Sequence, residues 1–235
     1  MLKNIEKNYS PNFDLQKRSK NKIKFIIIHY TGMKNEKDAI DRLTNPQSKV
    51  STHYFIKLNG KILNMVPDSY VAWHAGKSKW KNYTNLNCNS LGIEISNSGH
   101  AFGYKKFNKN QIKSLILLLK ILIKKYRIDL RNILGHSDIA PDRKKDPGEK
   151  FPWQFLAGRK LSFWHKLNLR ELKKLRNINS SPNEKIRFSK NLNIIGYSNS
   201  NLATIKAFQR RFRQQLINGK IDKECLKISE SLAFF

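Results

Sequence analysis

The sequence is short of cysteine, of long apolar runs and of acidic residues, and each shortage removes a class of protein. Cys88 and Cys225 are the only cysteines, so a disulfide-stapled scaffold is excluded and two free thiols are expected. The longest apolar stretch, Leu115 to Ile123, is broken by Lys120 and falls well below the ~20 residues a membrane span needs. Acidic side chains number 17 against 46 Lys and Arg, a net charge of +29 over 235 residues. Hydrophobic residues still make up 39% and aromatics 11%, enough for a buried core and too much for a disordered chain.

The charge raises the question of nucleic acid, and its distribution answers it. Residues 1–160 carry 31 basic and 12 acidic side chains, and residues 161–235 carry 15 and 5, so the density is nearly even. A phosphate-binding surface concentrates its charge on one face or arm. Moreover, 34 of the cations are Lys, which lacks the fork that Arg offers to phosphate, and the chain is also rich in Asn and Ile. The bias reads as general composition, and no specific nucleic-acid partner is expected.

Strands and helices alternate along the first two thirds. Ile23 to Ile28 is a β-branched run that reads as a buried strand and delivers His29 at its end. Apolar runs flank Asn59-Gly60, a dipeptide that accepts the positive φ of a tight hairpin. Leu91 to Ile95 reads as a strand with Glu94 inside it, Gln111 to Tyr126 as a helix, and Ile133-Leu134 as a short strand running into Gly135-His136. This interleaving predicts an α/β, mixed α+β domain with a central sheet flanked by helices. Beyond Trp153 a helix is expected over Leu161–Arg176 and a linker over Asn177–Lys185. A helical stripe through Leu202, Ile205, Phe208, Phe212 and Leu216 follows, and Asp222 is placed to cap a last helix. The expected division is an extension at 1–22, a catalytic unit at 23–160, helix and linker at 161–185, and a small helical unit at 186–235.

Two of the six histidines, His29 and His136, sit where strands end, which is where α/β proteins build sites, and Asp146 follows ten residues after His136. Two imidazoles and a carboxylate suit Zn²⁺ with a fourth position left open. Spacing alone favours ordinary structural histidines over the metal triad. His29-Tyr-Thr31, Ala72-Trp-His-Ala-Gly76, Leu91-Gly-Ile-Glu94, Gly135-His-Ser-Asp-Ile-Ala-Pro141, Arg143-Lys-Lys-Asp-Pro-Gly148 and Phe151-Pro-Trp153 occur in this order. Together they resemble the type 2 N-acetylmuramoyl-L-alanine amidases, relatives of the peptidoglycan recognition proteins. Ile195-Gly-Tyr197 and Ala207-Phe-Gln-Arg-Arg-Phe-Arg213 resemble a helical peptidoglycan-binding module.

The resemblance implies one Zn²⁺ per chain held by His29, His136 and Asp146, with Glu94 and Lys144 as the catalytic pair. It implies hydrolysis of the amide between N-acetylmuramic acid, or its anhydro form, and L-alanine. Glu94 would act as general acid-base and Lys144 would steady an oxyanion. Without the family, Glu94 reads as a carboxylate on a half-buried strand and Lys144 as one solvated cation among many. His74 and Asn97 fall in family-like blocks and are carried as substrate contacts. Trp73 offers either a ligand platform or core packing, His53 reads as a satisfied buried residue, and Asp138 as a turn cap or a support for a histidine. The implied partners are peptidoglycan fragments or polymer. The alternatives are a non-catalytic peptidoglycan-binding protein of the same fold and, behind it, a basic nucleic-acid binder. Residues 1–22 lack the apolar centre of a secretory signal, so the expected compartment is the cytoplasm, with the periplasm as alternative because of the C-terminal module.

Overall fold

Six strands build the central sheet: β1 (Ile5–Lys7), β2 (Phe25–Tyr30), β3 (Tyr54–Ile56), β4 (Ile62–Asn64), β5 (Ser90–Ile95) and β6 (Ile133–Gly135). Their spatial order is β1-β4-β3-β5-β2-β6, and every neighbouring pair runs parallel except the β3–β4 hairpin. Gly60 sits in that hairpin's turn at φ 86°, the backbone state expected of Asn-Gly. The computed structural model describes residues 5–234, so the first four residues of the expected extension and Phe235 lie outside it. The rest of that extension is partly structural, because β1 closes one edge of the sheet against β4.

Eight helices accompany the sheet: α1 (Glu36–Thr44), α2 (Lys109–Tyr126), α3 (His136–Ile139), α4 (Trp153–Ala157), α5 (Leu169–Leu175), α6 (Pro182–Ile195), α7 (Leu202–Phe212) and α8 (Lys223–Ala233). The architecture is the mixed α/β one expected. In α2, Asn108 and Gln111 cap each other's backbone N–H groups, which starts the helix at Lys109, two residues before the expected Gln111. Leu115, Leu118, Leu119 and Leu122 of that stripe pack on Ile26, Ile28, Ile93 and Ile95, one face of the sheet. No described helix is long and apolar enough to cross a membrane. Cys88 and Cys225 are both free.

The other face is covered in two parts. Phe55, Leu63 and Met65 pack with Ala39 and Leu43 of α1. Phe25, Ile27 and Leu134 instead share one core with Leu172, Phe188, Leu192, Phe208 and Leu226 of α5 to α8. Strand alternation puts His29 and Glu94 on this second face, in the interval between the two covers.

Three expectations for the C-terminal third need correction. The helix expected over Leu161–Arg176 is confined to Leu169–Leu175, because Asn168 caps it by accepting from the N–H groups of Arg170 and Glu171. Pro182, read as linker chemistry, is the first residue of α6, with Ser181 and Glu184 forming a reciprocal cap. Leu216 lies beyond the end of α7 at Phe212 and so leaves the helical stripe.

The helical unit is also joined to the sheet by a buried polar knot. Asp138 accepts from the Gly135 N–H at 2.7 Å, the Tyr197 hydroxyl at 2.8 Å and Arg211 Nη1 at 2.8 Å. Arg211 also donates to the Ile133 carbonyl and stacks 4.0 Å from the centre of the Trp153 ring. Of the two roles open to Asp138, the structure displays the turn cap and adds an ion pair that holds α7.

Candidate metal centre and its cleft

Adjacent parallel strands deliver the site. His29 on β2 lies opposite Glu94 on β5, and β6 pairs Gly135 with Ile28 before giving way to His136. The carboxyl ends of parallel strands form the crevice where α/β folds place ligands. Asp146 arrives on the loop after α3, where its carbonyl accepts the Ser137 N–H at 2.9 Å. His29 Nδ1, His136 Nδ1 and Asp146 Oδ2 then form a triangle with edges of 2.9, 3.0 and 3.1 Å, and all three residues are buried.

Hydrogen bonds behind the triangle set the tautomers. His136 Nε2 faces the Ala75 carbonyl at 3.1 Å, which only accepts, so Nε2 carries a proton and Nδ1 is the nitrogen turned to the triangle. The Ser90 hydroxyl donates to the Leu86 carbonyl at 2.6 Å and therefore accepts from His74 Nε2 at 3.2 Å. His74 Nδ1 is left to accept from His29 Nε2 at 3.0 Å, and His29 Nδ1 presents a lone pair. Burial, helped by His136, lowers the His29 pKa to about 4, and burial with His29 and His53 holds His74 well below its ordinary value, so both rings are neutral. Burial raises the Asp146 carboxyl, but the facing His136 and His29 rings outweigh it and hold the group below the usual carboxylate range.

Two imidazole nitrogens and a carboxylate oxygen thus converge within about 3 Å of one another. A cation suits this arrangement. Tetrahedral Zn²⁺ with bonds of about 2.0–2.1 Å sets its donors about 3.3 Å apart, close to the triangle observed. The N₂O donor set and the burial fit that ion.

A cleft of about 600 Å³ opens in front of the triangle, with Trp73, Glu94 and Lys144 among its walls. Glu94 Oε2 is buried without a hydrogen-bond partner among the described residues. Burial and the nearby Asp146 push the Glu94 carboxyl up to about 8, with Lys144 opposing. Lys144 is half-buried, and its N–H donates to the Ala140 carbonyl at 3.0 Å. The structure therefore brings His29, His136, Asp146, Glu94 and Lys144 into one cleft.

The two expected substrate contacts fare differently. His74 borders the cleft, but its ring nitrogens are engaged by His29 and Ser90, so the side chain buttresses the triangle. Asn97 is not brought to the cleft: its amide donates to the Lys105 carbonyl and accepts the Gly99 N–H. Trp73 is half-buried on the cleft wall, tied to Asp14 at 2.7 Å, and His53 is a fully buried residue whose Nδ1 accepts the Gly92 N–H.

Sequence reasoning missed three supports. Ser90 anchors the His74 ring. Gly92 makes room for it, since a Cβ there would lie 2.5 Å from the His74 ring. A glycine inside a strand was the available signal. Arg143 donates to the carbonyls of Ala75 and Lys77 and so fixes the acceptor that His136 uses.

The N-acetylmuramoyl-L-alanine amidase family model matches residues 19–149. The N-acetylmuramoyl-L-alanine amidase AmiD of Escherichia coli (strain K12) is 36% identical over 230 residues, 90% of this chain and 82% of that protein. A solved complex of AmiD with the substrate anhydro-N-acetylmuramic acid-L-Ala-D-γ-Glu-L-Lys is similar in fold, with a TM-score of 0.78. That match covers 90% of this chain and 88% of that one at 35% identity. AMPDH3 from Pseudomonas aeruginosa matches with a TM-score of 0.79 at 27% identity, covering 96% of this chain and 94% of that one. The 1,6-anhydro-N-acetylmuramyl-L-alanine amidase AmpD of Haemophilus influenzae is 31% identical over 179 residues, 65% of this chain and 95% of that protein.

Proposed function

The chain belongs to the N-acetylmuramoyl-L-alanine amidase family, and on that premise we propose that it is a zinc-dependent enzyme whose substrates are muropeptides. The bond cleaved joins N-acetylmuramic acid, or its 1,6-anhydro form, to L-alanine. The observation that carries this reading is the buried triangle of His29 Nδ1, His136 Nδ1 and Asp146 Oδ2 beside Glu94, whose Oε2 has no hydrogen-bond partner among the described residues, and the Lys144 ammonium. His29, His136 and Asp146 hold the metal. When bound, Zn²⁺ supplies Lewis acidity that acidifies water and polarises a carbonyl. Glu94 accepts a proton from the attacking water and returns it to the departing L-alanine amine, its position on the cleft wall beside the triangle suiting it to that task. Lys144 places a positive charge on the cleft wall where the scissile oxygen becomes anionic. Residues 23–160 form the catalytic unit and residues 186–235 the module that accompanies it.

Metal content and hydrolysis test the proposal together. Purified protein is expected to carry about one Zn²⁺ per chain and to release a peptide with a free L-alanine N-terminus. A chelator should abolish release and Zn²⁺ restore it. Glu94→Gln should keep the metal and lose at least about a hundredfold in kcat. Bound Zn²⁺ without release from any muropeptide would make the protein a binding module instead.

A further inference from the structure

A second groove, of about 440 Å³, adjoins the cleft on the far side of Lys144 and Lys145, which border both. Its opposite wall is α7, from which Lys206 and Arg210 face in. These two stand four residues apart on one helix face, an arrangement in which like charges repel. Arg210 is only 8% exposed, and its Nε is buried without a hydrogen-bond partner among the described residues. The nearest carboxylate, Glu149 at 3.9 Å, is already engaged at 3.0 Å by His100. The one acid lining the groove, Asp142, accepts from Asn201 at 3.0 Å. Four cations from two parts of the chain thus converge on one groove, and Glu149, which pairs with Arg210 at 3.9 Å and is shared with His100, leaves the Arg210 Nε without a hydrogen-bond partner among the described residues.

We infer that this groove is a carboxylate subsite, in which Arg210 and Lys206 receive the free carboxylates of the stem peptide whose muramoyl amide lies in the cleft. The inference rests on the amidase reading and names what holds the distal part of that substrate. In a peptide of the type L-Ala-D-γ-Glu-L-Lys, the γ-linkage leaves the glutamate α-carboxylate free, and the chain ends in a second one. An extended residue spans about 3.3–3.6 Å, so two or three residues past the scissile bond reach about 7–11 Å from it, and the groove shares Lys144 and Lys145 with the cleft. Carboxylate recognition by a forked guanidinium flanked by an ammonium matches these groups in charge and shape.

The experiment uses the full chain and two peptides, L-Ala-D-γ-Glu-L-Lys and its analogue with both carboxylates amidated. Calorimetry on wild type is expected to give about tenfold weaker binding of the amidated peptide. Lys206→Glu and Arg210→Gln should each erase most of that preference, and Lys206→Arg should keep it. Melting curves ensure that only folded variants are compared, and Lys206, half-exposed, serves if Arg210→Gln does not fold. An unchanged preference in Lys206→Glu, equal binding of the two peptides by wild type, or competition by inorganic phosphate as effective as the tripeptide would overturn the subsite. Hydrolysis of the corresponding muropeptides is read separately. Absent turnover with an intact peptide preference would sink the amidase reading and leave the subsite standing.

Discussion

At the scale of single residues, the centre is organised by which nitrogen carries a proton. The Leu86 carbonyl orients the Ser90 hydroxyl, Ser90 orients His74, and His74 leaves His29 Nδ1 bare. Outer partners of this kind commonly change metal affinity by 10–100-fold when removed. Ser90→Ala is therefore expected to weaken Zn²⁺ affinity by at least about tenfold in a competition titration with a chelator, with Ser90→Thr recovering most of it. Wild-type affinity in Ser90→Ala would show that the His29 ring is held by packing alone. The candidate ligands were legible in the sequence because His29 and His136 stand at strand ends and Asp146 falls in a family-like block. The support chain was not, since a serine opening a strand looks like any other. Asn97 shows the converse: a polar residue just past a strand end looks available for ligand, and its amide is engaged within its own loop.

At the scale of elements, α2 is fastened to the sheet by more than its apolar stripe. Asp68 accepts from Tyr54 at 2.7 Å, Lys125 at 2.7 Å and Tyr126 at 2.5 Å, tying the end of α2 to β3. Burial works to raise the Asp68 pKa, but these three donors together lower it below the ordinary value. A carboxyl with a depressed folded pKa contributes stability above its unfolded pKa, and that stability is lost as pH falls through the folded one. Urea melts between pH 7 and pH 2 are expected to show this loss, and Asp68→Asn should flatten it at a cost on the order of 2 kcal/mol near neutrality. An acid limb unchanged in Asp68→Asn would assign the loss to other carboxyls. Elements defined by apolar period, such as β2, β5 and α2, were legible. Those defined by their ends were less so: α6 begins at Ser181-Pro182, where proline starts a helix because its missing N–H has no partner to lose.

At the scale of the whole molecule, the helical unit is a wall of the enzyme. Its core is shared with Phe25, Ile27 and Leu134, and the Asp138–Arg211 pair sits two residues from His136. A small helical unit of this length looks self-sufficient in sequence, because alternation along β2 reveals two buried faces but not what covers each. Arg211→Met would strand the buried Asp138 carboxylate, and a loss of about 3–5 kcal/mol in folding stability is expected. Asp138→Asn combined with Arg211→Met should recover part of it, read as a coupling energy from a double-mutant cycle of chemical melts. Additive single effects would mean that the two side chains do not communicate.

The shared core also imposes an order in time. During synthesis Ile27 leaves the ribosome on the order of 180 positions ahead of Phe208, its partner on the second face of the sheet. At roughly 5–20 residues per second, that face waits for about ten seconds to half a minute before its cover exists. The nascent sheet can close over α2 early but stays open where His29 and Glu94 will lie, so the candidate centre is enclosed only after α7 has been made.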